Sequence, residues 1–242
     1  MQCLIVAAGK GLRLRAQGKS KPLVELCGKP LIAHVIENAK IAGVKDFVVV
    51  TGYEATVLEA YLHDLAPKIG VSIRTVYNPE YEKPNGLSVF AAREEMNQRF
   101  LLAMCDHLMD PEMVKELAVQ NIADDEVMLG IDTRLDNPYV DLEDVTRVRI
   151  KDGRIDAIGK DMENYNAYDT GIFLCSHGFF KALGKSAREG DFNISGGMMK
   201  LAIGGKARVH DLSGSSKNPV WIDVDSPEMF EMAEKYLVQK IA

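Results

Sequence analysis

The chain lacks most of what would assign it by composition alone. Its 242 residues include one tryptophan and four cysteines. Cys3, Cys27, Cys105 and Cys175 show no C-x-x-C spacing, so neither a zinc site nor a disulfide framework is indicated. Three of them sit in apolar, strand-like runs, where buried reduced thiols are expected; the compartment is read as reducing, that is, cytoplasmic. Basic side chains are the minority, 29 against 35 acidic ones, which leaves too little positive charge for a face many phosphates long and argues against a nucleic-acid partner. No apolar run reaches spanning length, and no charged n-region with an apolar h-region opens the chain. A soluble protein with no membrane contact of its own is expected. At 47% hydrophobic and 26% charged the chain suffices for one large α/β domain, residues 1–242, with no second full domain.

The familiar glycine fingerprints are also incomplete. Leu4-Ile5-Val6 is an apolar run that stops at Ala7-Ala8-Gly9-Lys10-Gly11, where glycines allow backbone N–H groups to approach an anion. A dinucleotide-binding loop would need a third glycine where Leu14 stands, and a Walker loop would need one at Arg13. What is present is charge. Residues 1–30 carry Lys10, Arg13, Arg15, Lys19, Lys21 and Lys29 against Glu25 alone, a balance of +5 in a chain of net charge −6. A concentrated positive patch on an acidic protein suits a small polyanion.

Along the chain, Val24 to Pro30 reads as a brief strand and turn. A helix then begins at Pro30, carries Leu31, Val35, Ile36 and Ala39 on one face, and closes at Gly43. A strand at 47–50, a helix near 54–64 and a strand at 72–76 give the beat of a parallel, doubly wound sheet. Ligands bind such sheets at the strands' carboxyl ends, so Ala7 to Gly9, Thr51-Gly52, Asn78 and Asp106 are expected to line one crevice. Residues 78–87 form a polar loop long enough to close over a ligand, and a helix is expected over 88–96. Phe100 to Cys105 is a strand ending in Asp106-His107, and Asp110-Pro111-Glu112 opens a helix. After a strand at 126–131 the rhythm changes to a hairpin, 145–150 and 154–158, around Asp152-Gly153. A core-facing helix within 191–205 and an edge strand at 207–212 follow. Trp221 to Asp225 returns to the sheet and Ser226-Pro227 caps a last helix. Alternation puts Asp223 and Asp225 on one face.

The pattern A-A-G-x-G-x-R followed by Lys21-Pro22 resembles the signature of nucleotidyltransferases that couple a nucleoside triphosphate to a phosphorylated sugar or alcohol. Met104-Cys105-Asp106-His107, Gly159-Lys160, Tyr168-Asp169-Thr170-Gly171 and Trp221-Ile222-Asp223-Val224-Asp225 narrow the likeness to CTP:inositol-1-phosphate cytidylyltransferases, from Leu4 to about Tyr236. The sequence departs from sugar-nucleotide relatives in having Cys105 where a first acid of a D-x-D or G-D pair would stand, so Asp106 acts alone on its strand.

The resemblance implies a single Rossmann-like, doubly wound mixed α/β sheet of the GT-A-like nucleotidyltransferase kind. Residues 1–131 would form the nucleotide half, and 132–242 the acceptor half, with a small β-rich lid near 145–160. Arg13, Lys21, Asp106 and Lys160 are the expected catalytic residues. Ala7, Ala8, Gly9, Gly11, Arg13, Lys21, Thr51, Asn85, Gly86 and Ser88 are expected at the nucleotide, and His107, Lys160, Asp169 and Thr170 at the acceptor. A triphosphate opposite Asp106 calls for Mg²⁺, held by Asp106 and Asp225, with Asp223 the second choice. The implied substrates are CTP and a phosphorylated polyol. Fusion to a membrane-embedded synthase, known among relatives of this family, and a homodimer stay open. So do a UTP- or dTTP-dependent sugar-1-phosphate transferase, a choline-phosphate cytidylyltransferase, which would want an aromatic cage, and a non-catalytic regulatory nucleotide-binding subunit.

Overall fold

A computed structural model describes residues 1–241, without the Ile241 side chain; Ala242, the end of the expected domain, lies outside the described residues. The strands are β1 (Gln2–Val6), β2 (Glu25–Leu26), β3 (Lys29–Pro30), β4 (Asp46–Thr51), β5 (Ser72–Tyr77), β6 (Arg99–Met104), β7 (His107–Met109), β8 (Val127–Asp132), β9 (Arg147–Lys151), β10 (Arg154–Gly159), β11 (Ala167–Ser176), β12 (Ala207–Asp211) and β13 (Trp221–Asp223). The helices are α1 (Leu31–Ile41), α2 (Ala55–Ile69), α3 (Gly86–Ala91), α4 (Pro111–Ala118), α5 (Gly178–Arg188), α6 (Ile194–Ile203) and α7 (Pro227–Ile241).

Nine strands form one mixed sheet in the order β5-β4-β1-β6-β11-β8-β12-β10-β9. The first four pair in parallel, as the strand–helix–strand rhythm requires, and β11 runs antiparallel between β6 and β8. Period two in β1 divides its side chains between two cores. Cys3, Ile5 and Ala7 face the layer of α1, α2 and α4, while Leu4, Val6 and Ala8 face α3, α5 and α6. A third, smaller cluster joins Leu14, Val24, Leu26 and Leu31 to Leu108, Ile222 and Val224 beneath α7.

Several elements differ from the sequence expectation. The helix expected over 54–64 continues to Ile69 through Pro67, and that expected over 88–96 begins at Gly86, ends at Ala91 and is followed by a 3-10 turn at Arg93–Glu95. The strand at 207–212 is interior rather than an edge, because β12 lies between β8 and β10. Its polar alternation has another cause: Arg208 donates to the Asn121 carbonyl and His210 bonds Glu116, so the polar face is covered by paired groups. The hairpin β9–β10 continues the main sheet, and β9 also pairs with β11 at Ala167 and Tyr168. No helix of the described residues is long and apolar enough to cross a membrane.

Candidate active site

The loop after β1, residues 7–15, is shaped by burial on one side and glycine on the other. Leu14, standing where a dinucleotide fold would have glycine, is fully buried in the third cluster and anchors a 3-10 turn, Leu12–Leu14. Its neighbour Arg13 lines the cleft. Gly11 adopts φ +56°, and a Cβ there would lie 2.2 Å from the Lys21 Cβ, so no other residue fits beside that lysine. The next 3-10 turn, Lys21–Leu23, begins at Lys21 with Pro22 second, and Lys21 lines the cleft. The Lys21 side chain is only 12% exposed.

The acids come from three places. Asp106 follows the carboxyl end of β6, and the short antiparallel ladder β7–β13 sets His107 opposite Asp223. The Val224 N–H donates 3.0 Å to the Asp106 carbonyl, which fixes β13 beside that loop. Asp225 lies two residues past β13. Asp144 comes from the segment between β8 and β9.

These groups form a dense ionic array. Lys21 Nζ pairs with Asp106 Oδ2, and His107 Nδ1 donates 2.8 Å to Asp106 Oδ1. Arg13 reaches both Asp225 and Asp144, the latter at 2.9 Å, and Lys160 pairs with the other Asp144 oxygen. Burial alone would raise the Asp106 carboxyl, but Lys21 and His107 hold it well below the usual carboxylate range. Burial opposes the charge on His107, yet Asp223 and Asp106 raise it to about 9, so the ring is an imidazolium at neutral pH. Asp225 is pushed up to about 7 by burial and by the Asp223 charge, against the pull of Lys21 and Arg13. Burial also raises Asp169, to about 6, although it accepts a bond from the Gly171 N–H.

A register shift in β11 between Asp169 and Phe173 explains how that strand contributes. Gly171 takes φ +79°, and a Cβ would meet the His107 ring at 2.1 Å. Asp169 and Gly171 line the cleft, whereas Thr170 lies away from it, fully buried with its hydroxyl donating 2.8 Å to the Gly130 carbonyl.

The resulting cleft has a volume of about 350 Å³. Of the residues expected there, Ala7, Gly9, Gly11, Arg13, Lys21, Asn85, Asp106, His107, Lys160, Asp169 and Asp225 line it. Others do not. The Ala8 carbonyl accepts the Tyr53 N–H, the Thr51 hydroxyl donates to Glu59, and Ser88 accepts from Asn78, itself buried. Gly86 donates to the Phe192 carbonyl, and Asn85 Oδ1 accepts from the Ile194 N–H, which staples the 78–87 loop to the start of α6. Thr51, Asn78, Ser88 and Thr170 thus lie outside the cleft lining, with their side chains hydrogen-bonded within the protein.

Sequence reasoning did not name Asp144 and placed Asp223 second to Asp225; both Asp144 and Asp223 line the cleft. Asp144 sits in an irregular segment with no motif around it, so no local signal marked it. Asp223 lines the cleft with Asp225, and its Oδ1 is buried without a hydrogen-bond partner among the described residues; the His107 Nδ1 lies 3.5 Å away but donates to Asp106. Carboxylate oxygens of Asp144, Asp223 and Asp225 lie within 4.8 Å of one another, and Asp223 also groups with Asp106 and His107. An orphaned buried oxygen among hard carboxylate donors fits a hard divalent cation.

Cations from the segment after β1, Arg13 and Lys21, facing carboxylates at the carboxyl end of a mixed α/β sheet define the nucleotidyltransferase class. Residues 3–142 match the MobA-like NTP transferase domain, and the chain belongs to that family. It is 32% identical to a bifunctional IPC transferase and DIPP synthase of Rubrobacter xylanophilus over 97% of its own length. The chain spans about half the length of the curated relatives it matches, 51% in that case. Among solved structures it superposes on the inositol-1-phosphate CTP transferase from T. maritima with a TM-score of 0.83 and 26% identity, covering 97% of this chain and 95% of that one. UDP-glucose pyrophosphorylase complexed with UDP-glucose shares the fold, with a TM-score of 0.79 at 19% identity over 99% of this chain and 98% of that one.

Proposed function

We propose that this chain transfers the cytidylyl group of CTP to inositol 1-phosphate, giving CDP-inositol and pyrophosphate. One observation carries the chemistry: Arg13, Lys21 and Lys160 converge on a single cleft with Asp106, Asp223 and Asp225. The choice of substrates is supported by the names of the relatives, one an IPC transferase and one an inositol-1-phosphate CTP transferase. The reading covers only the transferase activity of the double name.

An oxygen of the acceptor phosphate attacks the α-phosphorus of CTP in line. A new P–O bond forms as the bond to the bridging oxygen breaks, and its electron pair leaves on pyrophosphate. No covalent enzyme intermediate is needed, so the protein's part is positioning and charge neutralisation. Backbone N–H groups of Gly9 and Gly11 cradle phosphate, while Arg13 and Lys21 neutralise the triphosphate and the departing pyrophosphate. Lys160 holds the acceptor phosphate, and Asp169 accepts from a ring hydroxyl, with His107 beside it. Asn85 faces the nucleotide. Asp106 and Asp223, with Asp225 beside them, would hold Mg²⁺, which when bound neutralises phosphate charge. The free thiols, three of them buried, suit a reducing compartment.

The test is pyrophosphate release across CTP, UTP, dTTP and GTP with inositol 1-phosphate, glucose 1-phosphate and phosphocholine. CTP with inositol 1-phosphate should give the highest kcat/KM. A preference for UTP or dTTP with glucose 1-phosphate would overturn the substrate assignment and leave the transfer chemistry standing.

A further inference from the structure

Lys160 has a long, flexible side chain that is 53% exposed, so where its ammonium can reach is set by where the backbone holds it. One residue brackets that backbone. Arg147 opens β9 opposite Gly159, the last residue of β10 and the neighbour of Lys160 on one side. Its guanidinium reaches the other side, where Nη1 donates 3.0 Å to the Met162 carbonyl. Nη2 donates 3.0 Å to the Leu142 carbonyl, so the segment that carries Lys160 and the 142–146 segment are held by the two prongs of one planar fork. The Tyr165 ring lies against that plane, its centroid 5.1 Å from the Arg147 Cζ. The start of β9 places Asp169 as well: Arg147 pairs with Tyr168, and the Thr146 carbonyl accepts 2.9 Å from the Asp169 N–H. Arg147 itself does not line the cleft, whereas Val145, Thr146, Lys160 and Asp169 around it do. Its Nε is buried with no hydrogen-bond partner among the described residues, which costs free energy, so what the guanidinium supplies is geometry.

We propose that Arg147 is a positioning residue for acceptor binding: its fork holds the 159–162 segment against the 142–146 segment and thereby sets Lys160 at the acceptor phosphate. This rests on the reading of Lys160 as the group that holds that phosphate, and adds the residue through which the fold places it. The nucleotide's cations, Arg13 and Lys21, stand on the segment after β1, which neither prong touches. Loss of the fork therefore falls on one substrate. A lysine at 147 would keep the charge as a single point, without the paired donors and the stacking plane that fix the distance between the two segments.

The test is steady-state kinetics on the whole chain, with thermal melts alongside, using the nucleotide and acceptor that rank first in the substrate panel. The variants are Arg147→Met, Arg147→Lys, Lys160→Met and the double variant of Arg147→Met with Lys160→Met. Arg147→Met should raise the KM for the acceptor about tenfold and change the KM for the nucleotide less than about twofold. Arg147→Lys should show the same split, and it is the milder change if the methionine variant does not fold. In the Lys160→Met background, Arg147→Met should add less than about twofold to the acceptor KM, because the group it positions is gone. Arg149→Met removes an arginine of the same strand that pairs with Asp156 on the surface, and it should leave both constants within about twofold of wild type. A wild-type acceptor KM in Arg147→Lys would overturn the proposal and assign the effect to charge. Equal rises in both KM values, or a full tenfold rise on top of Lys160→Met, would overturn it too and make Arg147 a support of the fold in general. If Lys160→Met leaves the acceptor KM unchanged, the reading of Lys160 fails and the proposal with it. If Lys160→Met raises that KM and Arg147→Met does not, the proposal alone fails.

Discussion

Trp221 Nε1 donates 2.8 Å to Asp132 Oδ2, so the one tryptophan ties the strand that carries Asp223 to the end of β8. The same carboxylate also accepts from Arg134 and Asn137, and it is fully buried. Four side-chain groups from 132–137 and 221 therefore set where the 133–146 segment leaves the sheet, and with it where Asp144 stands.

Asp132→Ala should destabilise the fold by about 3–5 kcal/mol, since it leaves Arg134 and the buried Trp221 N–H without their shared partner. Burial raises the Asp132 carboxyl, but Arg134 and Trp221 lower it further, below the ordinary value of 3.8. Its contribution is thus present above that value and is lost as pH falls through the depressed one. Chemical denaturation at neutral and acid pH checks this: the gap between wild type and variant should narrow in acid, and a constant gap would show that Asp132 acts by packing alone.

Lys21→Met should lower kcat about 10²- to 10³-fold, by removing a positioned charge from the leaving pyrophosphate. The lysine is also nearly buried against Asp106, with Asp223 and Asp225 close by. Burial opposes its charge, but those acids hold its pKa up. Removing it leaves carboxylates facing one another, so the melting temperature should fall as well. Steady-state kinetics with thermal melts tests both, and near-normal turnover would remove Lys21 from the mechanism.

Asp223→Asn should raise the Mg²⁺ concentration needed for half-maximal rate about tenfold or more, and more than Asp225→Asn does. Asp223 presents a buried oxygen with no hydrogen bond among the described residues, while Asp225 is already paired with Arg13. Titrating the metal against rate for both variants ranks the two acids. The reverse order would assign the ion to Asp225, the residue the sequence pattern favours.

Asp169→Asn should stabilise the protein at neutral pH by about 1–2 kcal/mol and have little effect in acid. Desolvation raises this carboxyl from 3.8 to about 6, outweighing the Gly171 N–H bond. The folded state therefore binds the proton more tightly than the unfolded chain, and the contribution is full below 3.8 and lost as pH rises through 6. Asparagine keeps the acceptor for Gly171 without the charge. Melting temperatures at pH 4 and pH 8 test the sign; the same variant should raise the KM for the acceptor if Asp169 meets a ring hydroxyl.

What the sequence by itself determined is whatever depends on neighbours within a few residues. The apolar run into Ala7-Ala8-Gly9, the need for glycine at Gly11 and the placement of Asp106 after a buried strand are all local, because strand period and turn conformation are set by adjacent side chains. The sheet's strand–helix rhythm and the buried thiols of Cys3, Cys105 and Cys175 were legible for the same reason. Only the tertiary structure decided which polar atoms remain free. Thr51, Ser88 and Thr170 carry hydroxyls of the right kind near the right strands, but Glu59, Asn78 and Gly130 use them first. Arg13 meets Asp144 and Asp225 across 131 and 212 residues of chain. A hydrogen bond or ion pair is made with whatever the fold brings within about 3 Å, and no pattern within a single turn or strand encodes a partner so far along the chain.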